Sequence, residues 1–181
     1  MKVFLRDILT TLIMTVVIFL GLHASVQTSV LAPPSPSMEP GLEVGEWVVI
    51  NKLAYKFHDP QRGDVIVFPS PEYPQDDYIK RIIGLPGETV EIKEGVVYIH
   101  KKDSTILALN EPYVAQPTKR PFEGSMIPQN EYLVLGDNRN NSGDSRQGWT
   151  VQRQKIIGKA WLSTWPPSRW GLVASYSYQG E

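Results

Sequence analysis

No cysteine occurs among the 181 residues. That excludes structural disulfides, thiol nucleophiles and thiolate metal sites together. Histidine is scarce, with copies only at 23, 58 and 100. None stands in a Gly-x-Ser-x-Gly or His-Glu-x-x-His setting, so neither a serine–histidine triad nor a zinc site has a motif to rest on. An excess of one charge is lacking as well. With 18 basic and 19 acidic side chains the formal net charge is −1, which offers no field for a nucleic-acid partner. After residue 31 there is no sustained 3.6-residue apolar periodicity, which argues against a helical domain, and there is no internal repeat. Any catalysis must therefore use oxygen or nitrogen groups. Neither a metal nor an organic cofactor is indicated.

What is present begins with an apolar run. Behind Lys2 and Arg6, Ile8 to Leu22 is almost entirely apolar, and the trend continues through His23 and Gln27 to Leu31. A spanning helix needs about 20 such residues, so the sequence predicts a short cytoplasmic N-terminus over 1–7 and a transmembrane helix over 8–30. The alternative, a cleaved secretory signal, is disfavoured because no small-x-small pair precedes a plausible mature start. The basic residues before the helix place the N-terminus in the cytoplasm and 31–181 on the far side.

That remainder is one domain's worth of chain. It reads as short β-branched and aromatic runs at 47–50, 64–68, 78–83, 89–92, 96–100, 132–135 and 156–162, separated by most of the 15 prolines and 14 glycines. The expectation is a mostly β domain, with Glu94-Gly95 as a hairpin turn and 69–77 and 112–129 as loops. The C-terminal 160–170 segment holds three of the five tryptophans. Core packing and a bilayer-facing indole cluster both fit that pattern.

Three segments could carry chemistry. Ser35-Pro36-Ser37-Met38-Glu39-Pro40-Gly41-Leu42 follows the apolar run directly, and its prolines hold it extended. Alone it reads as a membrane-proximal linker. In Tyr78-Ile79-Lys80-Arg81-Ile82-Ile83-Gly84 a lysine interrupts an apolar strand. Facing water, it would merely be solvated. Facing inward, it would lose the charged form and become a general base for a serine, with Arg81 on the opposite face. Gly136-Asp137-Asn138-Arg139-Asn140-Asn141-Ser142-Gly143-Asp144-Ser145-Arg146 is a polar loop after a strand. A second Ser-Met-x-Pro at 125–128 is read as a loop, and the Asn140-Asn141-Ser142 sequon as a chance match.

Taken in order, with Arg62-Gly63-Asp64-Val65-Ile66-Val67-Phe68 added, these blocks resemble the successive sequence boxes of bacterial type I signal peptidases, the serine–lysine peptidases of family S26. The resemblance spans nearly the whole domain. It implies a signal-peptidase-like β fold and a membrane-anchored serine endopeptidase. That enzyme would remove signal peptides from exported preproteins after small residues, at Ala-x-Ala sites. On this likeness Ser37 is the nucleophile and Lys80 the general base, while Ser35 joins the Ser37 N–H in the oxyanion hole. Ser142 orients the lysine, Asp144 and Arg146 shape the site, and Met38, Leu42, Tyr78 and Ile79 line the small substrate pockets. Two positions depart from the pattern: Gly41, where threonine is common, and Asn140, where aspartate is usual. The implied partners are preprotein signal peptides and the lipid bilayer, of the plasma membrane or of a thylakoid, with the translocation machinery as a further candidate. The implied peptide would pair as a strand near 31–35 and 77–80. Self-cleaving repressors of the LexA type also use serine and lysine on a β domain, but they need a DNA-binding helical module. A catalytically silent membrane-anchored module would tolerate loss of Ser37 and Lys80.

Overall fold

The computed structural model describes residues 2–25 and 28–178, without the side chains of 2–5, 18–25 and 28. The first element is a helix, α1 (Lys2–Ser25), and the next is a strand, β1 (Thr28–Leu31). The helix expected over 8–30 thus ends early. Val26 and Gln27, inside that expectation, lie outside the described residues. The cause is tertiary: β1 runs antiparallel to β2 (Trp47–Asn51), with Thr28 opposite Asn51 and Leu31 opposite Val48. Its backbone partners come from a sheet, and its β-branched residues suit that state. Among the described residues, no helix is long and apolar enough to cross a membrane.

The chain continues as β3 (Val65–Pro69), β4 (Asp77–Gly84), β5 (Thr89–Lys93), β6 (Val96–His100), β7 (Ile106–Ala108), β8 (Phe122–Glu123), β9 (Glu131–Leu135), β10 (Val151–Gln152), β11 (Gly158–Trp165) and β12 (Gly171–Leu172). One sheet has the order β1-β2-β11-β3-β4-β9-β10, with β12 beside β11, and a smaller sheet has the order β7-β6-β5-β8. All seven expected runs are strands. Those the sequence reading lacked, β1, β7, β8, β10 and β12, are two to four residues long, too short to show a period.

Side-chain alternation explains the layers. In β5 and β6 only Val90, Ile92, Val97 and Ile99 are buried, so one face meets water. The buried face packs on Ile83, Leu133 and Leu135 of the larger sheet. β3 is buried throughout: Val65 and Val67 join Met38, Leu42, Val48, Ile50 and Ile79 in one apolar cluster, whereas Ile66 and Phe68 join Ile82, Tyr132 and Val134 in another. β3 and most of β4 are covered on both faces, each large apolar side chain contributing about 1.5–3 kcal/mol by burial. The turn at Glu94-Gly95 forms as expected, both residues having positive φ (52° and 83°). The C-terminal tryptophans do not pack in the core: Trp161, Trp165 and Trp170 are 47%, 54% and 71% exposed, and Trp165 pairs across strands with exposed Trp47.

Candidate active site

β4 brings Lys80 to the interior, opposite Ile66 of β3, where it is 3% exposed. Its Nζ donates to Ser37 Oγ at 2.7 Å and to the Ile79 carbonyl at 2.9 Å, and the Tyr78 ring lies 5.1 Å away. Burial lowers its pKa to about 8, with the negative charges of Asp144 and Asp137 pulling in the other direction. In the neutral form the same contact reverses, with the Ser37 hydroxyl donating to the amine.

Ser37 owes its position to two segments. The chain is extended at Ser35 (φ −135°, ψ 155°) and then makes a 3₁₀ turn over Pro36–Met38, so the expected extended run holds only as far as Ser35. Asn138 ties the turn down, its N–H donating to the Ser37 carbonyl (3.1 Å) and its Nδ2 to the Pro36 carbonyl (3.0 Å). Close approach also requires Gly136: a Cβ there would lie 2.4 Å from the Ser37 carbonyl oxygen and 2.2 Å from Ser142 Oγ. Gly41 has a comparable reason, since a Cβ would lie 2.7 Å from Asp137 Oδ2. Ser35 is exposed, and its hydroxyl donates to Ser37 Oγ at 3.2 Å.

The polar loop after β9 is braced from behind. Asp144, fully buried, accepts from the Gly136 N–H (3.0 Å) and from Arg146 Nε and Nη2 (2.8 Å each). Arg146 also donates to the Arg139 carbonyl (2.7 Å). Asp137 holds Arg81 through two bonds of 2.9 and 2.7 Å, both side chains buried. Arg81 faces away from Lys80, as its place in the strand requires, but it is internal too. Ser142 is brought close, yet its Oγ is buried without a hydrogen-bond partner. The lysine is held instead by the Ile79 carbonyl and Ser37.

A cavity of about 670 Å³ opens on the pair, with Leu31, Ser35, Ser37, Tyr78, Ile79 and Lys80 on its walls. Tyr78 and Ile79 lie on these walls. Met38 and Leu42 do not: they are 0% and 2% exposed and belong to the apolar cluster that backs the cavity, because the 3₁₀ turn aims Met38 into the sheet. β1 is the edge strand of its sheet, and β4 pairs with β9 only from Arg81 onward. Ser125 and Met126 are exposed and do not line this cavity. His58 contacts Ala54 and His100 pairs with Glu91, so neither serves the site. Gly136, Asn138 and the Arg81–Asp137 pair are site residues that no sequence motif singles out. The available signal was a second cation inside an apolar strand and an acid opening the polar loop.

The family model for signal peptidase, peptidase S26, matches residues 5–165. The chain belongs to this family. It is 40% identical over 174 residues to a signal peptidase I of Leptolyngbya laminosa, covering 92% of this chain and 83% of that one. To signal peptidase IB of Staphylococcus aureus (strain Mu50 / ATCC 700699) it is 37% identical over 144 residues, covering 72% and 74%. To thylakoidal processing peptidase 1, chloroplastic, of Arabidopsis thaliana it is 33% identical over 146 residues, covering 75% and 42%. As a member of this signal peptidase family the chain is a serine peptidase, a hydrolase, with the mostly β architecture described.

Proposed function

We propose that this signal peptidase family member cleaves preproteins after small residues with Ser37 as nucleophile and Lys80 as general base. The 2.7 Å contact between two buried groups, one of them an amine with pKa about 8, carries the reading. Neutral Lys80 takes the Ser37 proton as Oγ attacks the scissile carbonyl, and then gives it to the departing amine nitrogen. A water deprotonated by Lys80 hydrolyses the acyl-enzyme ester, and the proton returns to Ser37 Oγ. The Ser37 N–H and, after rotating away from Ser37, the Ser35 hydroxyl face the developing oxyanion. The peptide lies extended between the free edge of β1 and the half of β4 not paired with β9, Asp77–Lys80, adding a strand.

The N-terminal segment, whose side chains are described from Arg6 only as far as Val17, serves as the membrane anchor, N-terminus cytoplasmic and catalytic domain outside. Its support is the apolar run Ile8–Leu22 and the exposure of Ile8, Leu12, Met14 and Val17 (52%, 61%, 60% and 57%). The Thr11 and Thr15 hydroxyls donate to backbone carbonyls four residues back (2.8 Å each), which hides their polarity as a bilayer requires. The exposed indoles of Trp161, Trp165 and Trp170 suit a headgroup-level contact. The membrane is the plasma membrane or, given the likeness to a thylakoidal processing peptidase, a thylakoid.

The test is cleavage of a preprotein bearing an Ala-x-Ala site by the detergent-solubilised chain, with the products identified by mass spectrometry. A single cut after the second alanine, blocked when that alanine is replaced by tyrosine, is the expected result. Cutting that ignores the substitution would sink the small-residue specificity.

A further inference from the structure

Behind the polar loop lies a second cavity, of about 470 Å³, which the proposed chemistry leaves unused. Asn141 and Gly143 line the peptide cavity, whereas Ser142 and Asp144 line this one. The two therefore share a wall one chain thick, the loop 141–144, beside Ser37 and Lys80. The opposite wall is the strap Pro117–Pro121, beyond which a more open hollow reaches Lys93 and Glu94.

The charge around this strap is one-sided, although the chain as a whole is nearly neutral. Arg139 is matched by Glu111 and Arg146 by Asp144. Lys93, Lys119 and Arg120 have no ion-pair partner among the described residues, and besides Asp144 the one acid lining the two hollows is Glu94. The strap is also fixed in place. The Lys119 N–H donates to Asn140 Oδ1 (3.0 Å), Asn140 Nδ2 donates to the Pro117 carbonyl (3.1 Å), and Arg146 Nη1 donates to Thr118 Oγ1 (3.2 Å). An amide at 140 makes both of its bonds without adding negative charge to the wall.

We infer that this basic cavity receives the segment of the substrate that follows the scissile bond and selects acidic side chains there. The inference rests on Ser37 cutting a peptide held in the neighbouring cavity. The exit that fits a chain extended along β1 and β4 and cut at Ser37 is over the wall shared by the two cavities, and three further residues advance it about 10 Å. Carboxylates on those residues would meet Lys119 and Arg120. Each exposed pair contributes modestly, so two together give roughly a fivefold preference at low salt, which fades as salt is added.

The experiment uses three preproteins that share leader and cleavage site and carry three glutamates, three glutamines or three lysines at the second to fourth positions after the cut. Wild-type enzyme is expected to show kcat/KM falling in that order. In Lys119→Glu/Arg120→Glu the order should flatten or invert, with an unchanged unfolding midpoint as the control for folding. Asn140→Asp, a milder change on the same wall, should lower the glutamate-to-lysine ratio about twofold. An unchanged ratio in both variants, or no preference in wild type, overturns the inference while cleavage of the glutamine substrate leaves the proposed function standing. If wild type cuts none of the three, the proposed function fails and this inference with it.

Discussion

Lys80 should control both the activity and the stability of the protein through one displaced pKa. With a value of about 8, about 9% of the amine is neutral at pH 7 and about 90% at pH 9; at the ordinary value the neutral fraction at pH 7 would be about 300-fold smaller. kcat/KM measured across pH 6–10 on one preprotein should thus rise about tenfold from pH 7 to 9 along a single limb centred near 8. Stability must follow with a fixed sign. The folded value lies below the unfolded one, so between about pH 8 and 10.5 the unfolded chain binds the extra proton and stability rises with pH. Below 8 the folded state bears the full cost of a buried ammonium, about 3 kcal/mol. Lys80→Met keeps the stem and removes the charge. In thermal unfolding it should exceed wild type at pH 7 by up to about 3 kcal/mol, roughly 6–12 °C in midpoint, and the gap should close by pH 10.5. An activity limb centred near 6.5, or a gap that stays constant with pH, would refute the reasoning, since both consequences derive from the same buried amine.

Three further outcomes follow from the site. Gly136→Ala places a Cβ 2.4 Å from the Ser37 carbonyl oxygen; a displacement of the nucleophile by about 1 Å should lower kcat about hundredfold, and the overpacking should cost about 1–3 kcal/mol in thermal unfolding. Asp137→Asn leaves the buried Arg81 guanidinium uncompensated and should destabilise the fold by about 3–5 kcal/mol in thermal or denaturant unfolding. Adding Arg81→Met should recover much of that loss. Ser35→Ala removes a proposed oxyanion donor and should lower kcat about hundredfold at nearly unchanged KM. A change confined to KM would assign Ser35 to binding instead.

The chemistry was more legible than the boundaries. Lys80 could be suspected because a lysine within Tyr78–Ile83 is costly unless it is used, and the blocks around Ser37 and Gly136–Arg146 stood in a recognisable order. The strand β1 was hidden because Thr28–Leu31 continues an apolar run. Only pairing with β2, twenty residues downstream, makes it a strand. Met38 and Leu42 were placed on the pocket wall because sequence distance from Ser37 does not show which way a 3₁₀ turn points its side chains. Arg81 and Asp137 lie 56 positions apart, and nothing local shows that they meet. Asn140, which departs from the family pattern, gained a role only when the strap it holds came into view.

The most direct test of the central claim is to measure cleavage of one preprotein by wild type, Ser37→Ala, Lys80→Ala and Ser125→Ala, each with its unfolding midpoint recorded. Folded but inactive Ser37→Ala and Lys80→Ala beside a fully active Ser125→Ala is the expected result. Normal cutting by either of the first two, or loss of cutting in Ser125→Ala with its fold intact, would contradict the Ser37–Lys80 assignment.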